Sequence, residues 1–333
     1  MLKPSKTKFR GCLLGQCLGD ALGFPIEGRD ENDCSSFIFN KAKHWFDGFE
    51  PNRIEWSGQY TDDSQLAREL LESMIEKGGF DPKDYAERIE AIFRENRIVG
   101  QGLATAKAAR NLARGVSWKR SGEPPPSAGN GTAMRAAPVG MFHYDDAEEM
   151  IKVAHTQGWI THKDTRCSAG SVAIAGATAM ALTGQAEDTD AFIENIAKWM
   201  AYYDDEFSKL TLALKDWILL PPHKALAPIS RAGKSPDYVD GWPGISPFVI
   251  SSVLWSLYSF LRYKDSYWDA ISTAVSIGGD VDTTGAMTGA VAGAHNGEEA
   301  LPKHLTKLLN DRGIWGYEEL TALADKCHEI KTS

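Results

Sequence analysis

Glycine recurs at every fourth position in two distant stretches, as Gly11, Gly15, Gly19 and Gly23 near the start and as Gly285, Gly289 and Gly293 near the end. A glycine inside a helix costs about 1 kcal/mol relative to alanine, so a row of them needs a compensating reason. Residues four apart share a helix face, and such rows form the ridges along which helices cross. Each row therefore predicts a helix crossed closely by a neighbour. The second helix, opening near Asp282, is expected to be deeply buried with its N-terminus at a set place.

The rest of the chain agrees with a helical fold. Apolar residues repeat at three- and four-residue spacing in the stretches beginning Ser64, Asp81, Asp146, Thr165, Asp188, Pro247 and Tyr317. "CSSFIFN", Cys34 to Asn40, is the best strand candidate of a weak set. The longest irregular stretch, Arg120 to Gly140, holds three consecutive prolines and then glycines, and is read as a loop inside one domain. With 333 residues and 43% hydrophobic content, the chain can bury a large core.

A net charge of −9 argues against non-specific attraction to nucleic acid or an anionic membrane. A phosphate ligand must then be held by backbone dipoles or a metal. The five cysteines are odd in number and form no CxxC, so neither a disulfide framework nor a zinc site is expected, and a reducing cytoplasm fits. The N-terminal apolar run is interrupted by Gln16 and Asp20 and lacks a small-x-small cleavage site, so no leader is expected. No apolar run reaches the roughly 18 residues needed to span a bilayer.

Two acidic elements stand out. "YTDDSQLA" carries Thr61, Asp62, Asp63 and Ser64, and "GGDVDTTG" carries Asp280, Asp282 and Thr283, each at the start of a predicted helix. One reading is capping: Asp62 with Gln65 fits a capping box, and Asp282 or Thr283 can cap the second helix. One cap, however, does not need two carboxylates. If the two termini meet, their hard oxygen ligands suit a pair of Mg²⁺, Mn²⁺ or Ca²⁺ ions. An EF-hand loop from Asp280 fails, because Thr284 stands where it needs Asp or Asn and Val291 where it needs Glu. The run "DVDTT" also fits the DxDxT of aspartate-nucleophile phosphatases, which is kept as an alternative although "SIGG" rather than an apolar strand precedes it.

Taken in order, "GCLLGQCLGDALGFPIEG", "YTDDSQLA", "GNGTAMRAAPVG", "THKDTRCSAGSVAIAGATAMAL" and "GGDVDTTGAMTGAVAGAHNG" resemble the ADP-ribosyl-acceptor hydrolases, which include the dinitrogenase-reductase-activating glycohydrolase. The resemblance runs from about residue 9 to 297. It implies an all-α, compact single-domain orthogonal helical bundle over 1–333, with a helical C-terminal tail at 298–333. It implies two Mg²⁺ or Mn²⁺ ions held by Thr61, Asp62, Asp63, Asp280, Asp282 and Thr283. It adds Glu27 as a carboxylate on a mobile loop, and "GNGTAMR" as a diphosphate cradle through Gly129, Asn130, Gly131 and Met134. His162 matches a histidine near the ligand, and Gly100 and Gly102 a substrate-facing loop. Arg135 is read as holding its loop together rather than touching phosphate.

The implied activity is hydrolysis of the bond joining ADP-ribose to an acceptor, with Glu27, Asp62 or Asp280 moving protons. Arginine is the favoured acceptor, although Val99 and Ile245 stand where some members carry aspartate and tyrosine. The implied partner is an ADP-ribosylated protein or small molecule acted on by a monomer, with no membrane and with nucleic acid only as a modified substrate. A catalytically silent member that binds ADP-ribose or a partner, as an immunity protein would, is the non-enzymatic alternative.

Overall fold

The two glycine rows pack against each other. In the computed structural model, which describes residues 3–48, 55–235 and 237–332, the helix Lys6–Gly23 lies antiparallel to the helix Val281–Asn296. Gly11 meets Gly293, Gly15 meets Gly289, and Gly19 meets Gly285. The contact is backbone on backbone: a Cβ placed on Gly19 would lie 2.1 Å from the Gly285 carbonyl oxygen, and one on Gly289 2.1 Å from that of Gly15. This approach sets Cα–H groups against carbonyl oxygens and brings dispersion contacts between main chains, which offsets the poor helix propensity. Tyr267 closes the seam, donating its hydroxyl to Gly15 O at 2.7 Å.

Other helices enclose this pair. Thr165–Leu182 and Val249–Arg262 are buried almost throughout and fill the core beside it. The helix Tyr317–Thr332 lies against Lys6–Gly23, where Arg10 forms a two-pronged ion pair with Asp325 and Phe9 meets the His328 ring edge-on at 5.3 Å. Among the described residues, extended pairing is confined to isolated bridges such as Gly129–Phe248 and Ile245–Gly279. No helix there is long and apolar enough to cross a membrane.

The helical stretches read from periodicity are present, including Asp62–Lys77, Pro82–Arg94 and Thr189–Met200. The strand expected at "CSSFIFN" is not. Those residues form the helix Glu31–Phe37 and the wider turn Ile38–Ala42 that continues it. Cys34, Ile38 and Ala42 are its buried residues, so the apolar spacing there is a four-residue helical stripe. The Arg120–Gly140 stretch is mostly loop, broken by the single turn Asn130–Thr132 and entering the helix Ala137–Phe142. All five cysteines are buried and unpaired.

A methyl group at the seam forces two main chains apart, whereas one at an open glycine does not. Gly289→Ala is expected to lower the unfolding free energy by about 1–3 kcal/mol despite alanine's better helix propensity. Gly79→Ala, where nothing lies within 4 Å of the added Cβ, serves as control and should shift little. Urea unfolding of both variants checks this, and a Gly289→Ala midpoint at or above that of the native chain would refute the packing argument.

Candidate active site

The antiparallel register decides where the acids go. A Cβ on Gly23 would lie 2.5 Å from Asp282 Cα, so the end of the first helix abuts the start of the Val281–Asn296 helix. Asp20, one turn back, is thereby brought beside Asp282, and Glu27, just past the turn Phe24–Ile26, beside Asp280 and Asp282. Gly278 and Gly279, with φ of +81° and +94°, thread between two other segments. Gly28 N–H donates to Gly279 O at 2.9 Å and Asp280 N–H to Ile245 O at 2.7 Å. A side chain at Gly279 would start 2.0 Å from Ile245 O, so glycine is required there on both steric and conformational grounds.

Asp20, which sequence reasoning passed over as a mere interruption of an apolar run, organises the first acidic element. Its carboxylate is fully buried and accepts from Thr61 N–H at 3.0 Å, Ser64 N–H at 3.1 Å and Ser64 Oγ–H at 2.6 Å. It thus caps the Asp62–Lys77 helix from a different helix. The Asp62–Gln65 capping box is not formed. Thr61 is the N-cap residue, and Gln65 instead accepts from Val99 N–H at 2.8 Å while donating to Arg97 O at 2.9 Å. In the other element the N-cap is Asp280 rather than Asp282 or Thr283, with no side-chain capping bond. Asp280 also opens a helix and does not end a strand, so the phosphatase reading lacks the framework it needs. A carboxylate beside a glycine ridge, in an otherwise apolar helix, was the available signal for Asp20.

The acids converge in two groups that share one member. Carboxylate oxygens of Asp20, Asp63 and Asp282 lie within 4.8 Å of one another, and so do those of Glu27, Asp280 and Asp282. Asp62 belongs to neither group, and its Oδ2 accepts from Gly102 N–H at 3.4 Å. Thr61 Oγ1 lies 3.0 Å from both Asp20 Oδ1 and Asp63 Oδ2, with one hydrogen to give. Burial pushes Asp62, Asp63 and Asp282 well above the usual carboxylate range, and repulsion from neighbouring acids adds to it. Burial likewise raises Asp20 to about 7, against the hydrogen bonds from Ser64 and Thr61. Glu27 is raised by partial burial and by Asp280.

This donor set fits a hard cation. Asp63 Oδ1 is buried without a hydrogen-bond partner among the described residues, and neither group contains histidine or cysteine. Oxygen-only donors suit Mg²⁺, Mn²⁺ or Ca²⁺ over zinc. Asp20, already accepting from Thr61 and Ser64, serves better to position Asp63 than to ligate.

All of these acids except the fully buried Asp20 form part of the lining of a cleft of about 420 Å³. Every site residue expected from the sequence lines it except Thr61, which is buried behind. The glycine loop is more engaged than expected. Asn130 donates its side-chain amide to Asp280 Oδ2 and its N–H to Pro247 O, and Met134 N–H is bonded to Asn130 O. These two main-chain amides are therefore turned away from any anion. Gly100 takes φ +62°, and a side chain there would start 3.3 Å from Asp62 Oδ1. His162 is 3% exposed and sits beside Gly129 and Gly131. Arg135 is wholly buried and bonds to Gln157 and Thr161, as its loop-holding reading required. Thr105 and Trp242 also line the cleft and carry no motif by which sequence could single them out.

Known proteins share the fold and family features of this chain. The sequence model of the family described as ADP-ribosylglycohydrolase matches residues 1–333. The chain is similar to ADP-ribosylhydrolase ARH3 of Gallus gallus, 28% identical with 98% of this chain and 94% of that protein covered. It is also similar to the ADP-ribosylarginine hydrolase Tri1 of Pseudomonas putida, 26% identical over 88% of this chain and 71% of that one. A solved structure titled "ADP-ribosylglycohydrolase-related protein complex" superposes with a TM-score of 0.66 at 27% identity, covering 99% of this chain and all of that one. The all-α bundle, the ordered motifs and the whole-length match together establish that this chain belongs to the ADP-ribosylglycohydrolase family.

Proposed function

We propose that the protein hydrolyses the glycosidic bond joining ADP-ribose to an acceptor, using two Mg²⁺ or Mn²⁺ ions. The observation that carries this reading is the meeting of two three-carboxylate groups through Asp282, with every member but the buried Asp20 facing a single cleft. The ligands would be Asp63, Asp280 and Asp282, with Thr61, Asp62 and Thr283 completing the set. When bound, such ions offset the crowded negative charge and orient vicinal ribose hydroxyls. The rest is the work of this chain's own groups. Glu27 lies on an exposed turn at the cleft, with its carboxyl raised by burial and by Asp280, and so is suited to exchange a proton with water or leaving group. Asp62, which Gly102 N–H approaches at 3.4 Å, and Asp280, held by Asn130, are the alternative proton carriers. Gly129 and Gly131 offer close backbone approach to a diphosphate. A cleft of about 420 Å³ is within the range of pockets that enclose small ligands. Five unpaired buried cysteines support a reducing cytoplasm, and the protein is proposed to act as a monomer.

Activity should require Mg²⁺ or Mn²⁺ and vanish on chelation, with zinc a poor substitute. Full turnover of an ADP-ribosylated peptide in excess EDTA, after metal removal is verified, would overturn the dinuclear reading, and absence of turnover with metal present would favour the silent binding member.

Asp282→Asn addresses the acid shared by both groups. Removing one of several like charges should stabilise the metal-free protein by about 1 kcal/mol and so raise its melting temperature. Metal stabilises the native chain by mass action, so the upward shift on adding Mg²⁺ should shrink in the variant. Melting curves of both proteins with and without Mg²⁺ check this, and equal shifts would remove Asp282 from the metal site.

For the acceptor, arginine is proposed, supported by the similarity to proteins named ADP-ribosylarginine hydrolase. ADP-ribose release from arginine-linked peptide should exceed that from serine-linked peptide; the reverse order would reassign the acceptor to a hydroxyl.

A further inference from the structure

Beside the cleft lies a cation with no acidic partner. Arg135 is fully buried and forms no ion pair among the described residues. Its Nε donates to Gln157 Oε1 at 2.8 Å, and one terminal nitrogen donates to Gln157 O at 3.1 Å and to Thr161 Oγ1 at 2.7 Å. The Gln157 amide is oriented from its other end, donating to Thr132 O at 2.9 Å and Ser171 Oγ at 2.7 Å. Its oxygen therefore faces Arg135.

A guanidinium can only donate, so the Thr161 hydroxyl accepts from Arg135 and has one hydrogen left to place. Two acceptors are in reach, His162 Nδ1 at 2.8 Å and Gly158 O at 3.4 Å. The nearer one forms the better bond. The adjoining positive charge also polarises the hydroxyl, making it a stronger donor and a weaker acceptor. Nδ1 of His162 then accepts, and in a neutral imidazole the proton resides on Nε2. Burial and the Arg135 charge keep the ring neutral, drawing its pKa down to about 3 against a pull from Asp164. Asp164 is itself paired with Arg166 at 2.8 and 2.7 Å. The Nε2 edge faces the glycine loop, since side chains placed at Gly129 or Gly131 would start 3.5 or 3.4 Å from that atom.

We infer that Arg135 and Thr161 are positioning residues that lock His162 as the uncharged Nε2–H tautomer, a hydrogen-bond donor to a phosphate or hydroxyl oxygen of the ligand seated on the Gly129–Gly131 loop. A neutral donor binds that oxygen without adding a cation that would pair with the nearby carboxylates and compete with metal. The ligand's identity rests on the ADP-ribosyl reading; the tautomer does not.

The test uses ¹⁵N-labelled full-length protein in three forms, native, Thr161→Val and Thr161→Ser. Long-range ¹H–¹⁵N correlation spectra of the ligand-free proteins report the His162 tautomer, and calorimetry with ADP-ribose reports affinity. The native chain and Thr161→Ser should show only the Nε2–H form, whereas Thr161→Val should show a mixture and bind ADP-ribose severalfold more weakly. An Nδ1–H ring in the native chain would overturn the inference, as would Thr161→Val retaining both the pure tautomer and full affinity. Should Thr161→Val fail to fold, the native spectrum alone decides the tautomer. A native Nε2–H ring in a protein that does not bind ADP-ribose would count against the ADP-ribosyl reading while leaving the relay in place.

Discussion

The main-chain contact between Lys6–Gly23 and Val281–Asn296 is the constraint on which the rest of the molecule depends. Three glycines on each side allow carbonyl oxygens to lie where side chains would otherwise stand. An interface that close has one register, because a slip would drive a larger residue into the opposite backbone. The register in turn places Gly23 on Asp282, and so joins residues about 260 positions apart into one acidic floor. The small residues are thus there for packing, yet their packing builds the site.

Asp20, Asp62, Asp63, Asp280 and Asp282 are buried together, and none has an ion-pair partner among the described residues. Burial alone raises carboxyl pKa values, and mutual repulsion raises them further. Such an arrangement stores unfavourable energy in the absence of a counter-charge, as functional sites do. Rather than neutralise the acids with basic side chains, the fold orients them with neutral donors: Ser64 and Thr61 for Asp20, Asn130 for Asp280, Gly102 N–H for Asp62. Arg135 remains apart, bonded to neutral oxygens.

The loops around the cleft are pinned from far along the chain. Gln65 holds the 97–102 segment through Arg97 O and Val99 N–H, and is itself bonded to Asp311, which also pairs with the buried Arg68 at 3.0 Å. Arg312 donates to Asn96 O at 2.6 Å and Ile98 O at 3.1 Å. The region after 297, where no quoted motif lies, therefore helps to set the loop carrying Gly100 and Gly102.

Helix positions, the need for close helix crossings at the two glycine rows, and the presence of two acidic helix N-termini were legible in the sequence, because each rests on local periodicity or composition. Gly285, Gly289 and Gly293 disclose a ridge by spacing alone, and Asp62, Asp63, Asp280 and Asp282 disclose two acidic helix starts by their clustering. What packs against each ridge is a non-local fact, and only the tertiary structure decided that the two rows meet. It also decided that Asp20, not Asp62, caps the Asp62–Lys77 helix, because a cap supplied by another helix leaves no trace in local spacing. The strand read into "CSSFIFN" failed for a related reason: over seven residues a helical stripe and a strand present nearly the same apolar pattern, and the inward packing of Cys34, Ile38 and Ala42 chose the helix.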